Sequence, residues 1–140
     1  MLHLLKGLSL SLLERRGEIA PYSFRLVGEA CDPKVFFPQD AKPDAPGEEL
    51  FSIAVESLKA DSAAEDIMGV VVCTSMISAA DPNQTAFVAQ IETPHISATF
   101  MCKYTFDAGA WKIAEPEPLK QLLVSDGMRW HPTSRQRLRR

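Results

Sequence analysis

The stretch Gln84–Phe106 constrains the fold more than any other part of the chain. It reads as two alternating runs, TAFVAQIET and ISATFMCKYTF, split by Pro94 and His95. From Ile96 every second residue is apolar or aromatic: Ile96, Ala98, Phe100, Cys102, Tyr104 and Phe106. Phe87, Ala89 and Ile91 repeat that pattern in the preceding run, with Gln90 and Glu92 between them. A period of two belongs to a strand with one face in a core and the other in water. Proline in the short connection stops the first strand, because it has no N–H to give to a ladder. A long antiparallel hairpin follows.

Helical signals stand before it. Met1, Leu4, Leu5, Leu8 and Leu12 fall on one stripe of a helix from about Leu2 to Arg16, closed by Gly17. Pro46, Glu48 and Glu49 open a second helix, whose Leu50, Phe51, Ala54, Val55 and Leu58 share a face through Ala60. Between the helices, Ile19, Tyr22, Phe24, Leu26 and Val27 suggest a strand, and Lys34–Pro38 a second, joined by a turn at Cys31-Asp32-Pro33. Gln39–Gly47 is dense in Pro, Asp and Gly and reads as a loop. Asp61–Asp66 reads as a polar connection, and Asp81-Pro82-Asn83 as a turn. The continuous apolar run in Ile67–Ala79 predicts a central strand covered on both sides. After the hairpin, Asp107-Ala108-Gly109 is a turn into a short strand, Trp111–Ala114. Glu115-Pro116-Glu117-Pro118 ends that strand, and Leu119–Val124 reads as a helical turn.

The order is therefore α-β-β-α-β-β-β-β. We expect an α+β fold of two layers, an antiparallel sheet of about five to six strands packed against two helices. One domain over residues 1–126 and a basic, mobile tail over 127–140 complete the organisation. The tail matters for charge. Five arginines and no acid lie in residues 129–140, so the other 128 residues carry −8 against a chain total of −3.

The run Leu12–Leu26, LLERRGEIAPYSFRL, resembles short bacterial proteins of no assigned function. Those open with a helix and a Gly-Glu-aromatic-x-Pro-Phe-like strand start, then a helix begun at Pro or Glu. A Val-rich strand and a long hairpin bearing Glu follow. Gly17–Tyr22, Glu48–Leu58, Gly69–Cys73 and Phe87–Glu92 are the matching pieces, with Ile19 where the pattern has an aromatic. The resemblance implies a fold and no activity.

Chemical signatures are sparse. The chain has no phosphate-binding glycine loop, no Gly-x-Ser-x-Gly elbow and no His-x-x-x-His pair. Cys31, Cys73 and Cys102 are odd in number and far apart, which argues against a disulfide framework and a zinc site and for a reducing, cytoplasmic setting. Cys102 lies on the apolar register, as a small core residue would. His95 beside Glu92 is the one conceivable acid–base pair, read first as a solvated turn. Glu92, Glu115 and Glu117 at one sheet end are read as solvated strand ends rather than metal ligands. No metal or cofactor is expected.

The arginines of 135–140 lack the interleaved aromatics of a nucleic-acid module, so nucleic acid is not the expected partner. No stretch approaches the ~20 apolar residues of a membrane span. What remains is the outer hairpin face, Val88, Gln90, Glu92, Met101 and Lys103 (with Thr99 among them), read as exposed and as the candidate interaction surface. The expectation is a non-catalytic binding module, immunity-type or a homodimeric accessory protein, with a protein or a second copy as partner. The alternative is a small enzyme or small-molecule binder with a cavity between helices and sheet.

Overall fold

The computed structural model describes residues 2–60, 66–77 and 85–119. Helix α1 (Leu2–Arg16) leads into strands β1 (Tyr22–Val27) and β2 (Asp32–Phe36), a one-turn helix α2 (Pro38–Ala41) and helix α3 (Gly47–Ala60). Strands β3 (Ile67–Ile77), β4 (Thr85–Glu92), β5 (Ser97–Asp107), β6 (Ala110–Ile113) and β7 (Glu117–Leu119) follow. The sheet order is β2-β1-β3-β4-β5-β6, with β7 also on β5 and every pairing antiparallel. The fold is α+β around an antiparallel sheet that curls, and no helix among the described residues is long and apolar enough to cross a membrane. The expected basic tail at 127–140, the connection over 61–65, the turn at 81–83 and the helical turn beyond Leu119 lie outside the described residues.

Period-two patterning sets the inner face. Tyr22, Phe24 and Leu26 of β1 align with Val71 and Cys73 of β3, Phe87, Ala89 and Ile91 of β4, and Cys102 and Tyr104 of β5. Leu5, Leu12 and Leu13 of α1 close this core. Burying a side chain of that size stabilises by about 1.5–3 kcal/mol. α1 ends where the alternation of leucines ends: Gly17 takes φ +73° and donates its N–H to the Leu13 carbonyl at 2.8 Å. A left-handed residue just past the helix is cheapest as glycine.

Two layers is a correction. α3 packs on the opposite face, setting Ala54 and Val55 on Val72 of β3, while Ser57 Oγ meets Ser23 Oγ of β1 at 3.1 Å. The helices thus cover both faces, as the unbroken Val70-Val71-Val72 run required of a central strand. The sheet also has seven strands rather than five or six. The added one is β7, which takes up the end of the proline segment and Leu119, the first residue of the expected helical turn. The proline segment does end β6, at Ile113, as expected, and the edge resumes as β7 after three residues with the register shifted by one. Tyr104 pairs with Ile113 and Met101 with Glu117, so three steps along β5 oppose four on the other side. An extra residue at an edge is where a chain lacking N–H groups is tolerated.

Two shorter corrections concern the first hairpin. The turn is Gly28–Cys31, with Gly28 at φ +75° and Cys31 at φ +55°, so Asp32 and Pro33 already belong to the edge strand β2. The expected loop at 39–47 begins as α2, because Pro38 is fixed in helical φ and accepts the Lys42 N–H at 3.0 Å.

Candidate functional site

The only described cluster of buried polar side chains on adjacent strands sits where the sequence placed its candidates, on the second face of the β4–β5 hairpin. Alternation puts Gln90 and Glu92 on one face, and the register sets Thr99 opposite Gln90 and Ser97 opposite Glu92. Glu92 Oε1 accepts from Ser97 Oγ at 2.6 Å and from Gln90 Nε2 at 3.1 Å. Ser97 is exposed, so the cluster meets solvent at the hairpin end. There the turn is held by Thr93, whose N–H donates to the Ile96 carbonyl at 2.8 Å. Its Oγ1 accepts from the N–H groups of His95 and Ile96 at 3.2 and 3.0 Å.

The face is shared as expected, but its exposure is not. Val88, Gln90 and Glu92 are 3, 2 and 4% exposed, and Thr99 is 3% exposed. Met101 and Lys103 are half-buried, Lys103 Nζ lying 3.8 Å from Glu117 Oε2. Three of the five candidate contact residues thus have no surface to offer a partner. A signal was available: Ala86 and Val88 make this face of β4 half apolar, which a water-facing strand rarely is. Thr99 Oγ1 makes no hydrogen bond among the described residues, which is costly for a buried hydroxyl.

The remaining candidates separate. His95 is exposed at the turn while Glu92 is buried and hydrogen-bonded by Ser97 and Gln90. The three glutamates find different partners: Ser97 and Gln90 for Glu92, Lys6 at 3.4 Å for Glu115, Lys103 for Glu117. Among the described residues no three His, Cys, Asp or Glu side chains lie close enough to hold a metal ion. Burial pushes the Cys102 thiol up to about 11, with Lys6 opposing and Glu115 and Glu117 adding to it. Cys73 is also pushed well up by burial. A nucleophilic thiol needs the opposite environment.

The hairpin closing β5 and β6 presents what the alternation missed. Ala108 and Gly109 take φ +52° and +78°, the two positive values of a type I′ turn, which matches the twist of its strands. Beside it Phe106 pairs with Trp111, their rings 5.0 Å apart and edge to face. Trp111 continues to Tyr104 at 6.1 Å, and Tyr104 to Phe87 at 6.2 Å in the core. Phe106 is nevertheless 60% exposed. At the other hairpin end Ile96 is 59% exposed. Both residues lie on the core register of the sequence and yet stand in water at the two ends of β5.

Comparison with known proteins finds no matching family, no matching curated protein and no matching solved structure.

Proposed function

We propose that the protein is a non-catalytic interaction module that docks a protein partner through the end of its β5–β6 hairpin. One observation carries this reading: Phe106, a large apolar side chain, stands 60% exposed near the end of β5 beside a two-residue turn, ring-paired to Trp111 and through it to the core. Aromatic anchors held in place lose little entropy on binding and dominate interface energetics. The excess of acid over residues 1–128 suits a partner with a basic surface, since complementary charge speeds encounter. Immunity-type neutralisers and dimeric accessory proteins both fit that description. Val88, Gln90 and Glu92 are then internal supports of the hairpin rather than contacts.

The test is co-purification of the tagged protein from its host, beside a Phe106→Ser variant, with bound proteins and small molecules both quantified. A stoichiometric protein partner, retained at least tenfold less by Phe106→Ser, supports the reading. Equal retention by the variant refutes the surface. A bound metabolite with no protein refutes the module and favours a small-molecule binder.

A further inference from the structure

Helix α1 buries a serine and leaves leucines half out. Its fully buried residues are Leu5, Ser9, Leu12 and Leu13, whereas Leu2, Leu4 and Leu8 are only partly buried against the same core. At about 100° per residue the seven leucines spread over roughly two-thirds of the helix circumference, and Ser9 lies inside that arc. A rotation of roughly 60° would turn Leu4, Leu5, Leu8 and Leu12 to the sheet. That face offers four leucines where the observed one offers three and a serine. Apolar content alone does not choose the observed setting.

The choice is made beneath the helix. Tyr22 is wholly buried, its ring held between Phe24 at 6.5 Å and Phe37 at 5.5 Å, so its hydroxyl has a fixed position. That hydroxyl lies 2.7 Å from Ser9 Oγ and donates to the Leu5 carbonyl at 3.3 Å. Turning α1 away would part the phenol from Ser9 and from the Leu5 carbonyl and leave it only the Cys73 thiol of β3, a weak partner, and a poorly met buried hydroxyl is penalised far more than a met one is rewarded. We infer that the buried Ser9–Tyr22 hydroxyl pair selects the rotation of α1 on the sheet, against a leucine face that is otherwise the richer one. A single buried polar pair that fixes register is a known use of such groups. The other ties of α1 are at the surface: Lys6 to Glu115 in its second turn, and at its C-terminal end Arg15 over the Phe37 ring at 5.6 Å and Arg16 to Gln39 and Asp40. Exposed pairs of this kind hold weakly.

The double variant Ser9→Ala/Tyr22→Phe removes both hydroxyls and adds no bulk. Two-dimensional amide NMR is expected to show doubled or exchange-broadened signals in residues 2–16 and in the sheet residues that α1 packs on, with single signals in α3 on the other face. One sharp set, with Leu12 and Leu13 keeping their contacts to the sheet, overturns the inference. Arg16→Ala is expected to leave one set; doubling there transfers the role to the exposed tie and also overturns it. Ser9→Thr keeps the hydroxyl and is expected to give one set even where Ser9→Ala has lost the fold. Doubling or unfolding in Ser9→Thr shows that size at position 9 is what matters, and the inference falls.

Discussion

Thr99→Val should make this protein more stable. Thr99 lies near the start of β5 between Gln90 of β4 and Leu119 of β7, 3% exposed, and its Oγ1 has no hydrogen-bond partner among the described residues. Its desolvation is therefore uncompensated, which costs about 1–3 kcal/mol in proteins. Valine has nearly the same shape and is at least as good in a strand. The substitution should then raise the unfolding free energy by about 1–2 kcal/mol, which moves the midpoint of thermal unfolding upward by about 3–8 °C in a chain of this size. Thr99→Ser is the control, since it keeps the hydroxyl and deletes a methyl, and should lose about 1 kcal/mol. Urea unfolding followed by circular dichroism measures both, provided the slope with denaturant is unchanged. Destabilisation by Thr99→Val of 1 kcal/mol or more would refute the reasoning. It would mean that the hydroxyl is engaged, and that the cluster of Gln90, Glu92 and Ser97 holds a further polar group.

Other outcomes follow from the same geometry. Cys102 has an ordinary pKa of 9.0 and is pushed up to about 11 in the fold, so its contribution is complete below pH 9 and is lost as pH rises through about 11. That gap corresponds to about 3 kcal/mol, and melts between pH 8 and 11 should fall in a way that Cys102→Ala flattens. Gly109→Ala should cost about 1 kcal/mol at φ +78°, whereas Ala108→Asn, at φ +52°, should gain a few tenths; chemical denaturation distinguishes them. Phe106→Ser should change stability by less than about 1 kcal/mol because the side chain is mostly in water, while abolishing partner retention. A large loss of stability there would show the ring to be structural.

Alternation and helical spacing determined much of this protein: α1, α3, the long hairpin, the central place of Ile67–Ile77, and the α+β class. These are local matters, because a period of two or 3.6 decides which residues share a face before any partner is known. Which faces end up covered is not local. Gln90, Glu92 and Thr99 sit at water-facing positions of their strands by sequence, and are nevertheless buried in the fold. Ile96, in the turn before β5, and Phe106, near the end of β5, sit at core positions of the alternation and are nevertheless exposed. Ser9 is buried among leucines because a tyrosine 13 residues away needs its hydroxyl. In each case the side chain obeys the pattern of its own element, and tertiary structure decides what that pattern faces.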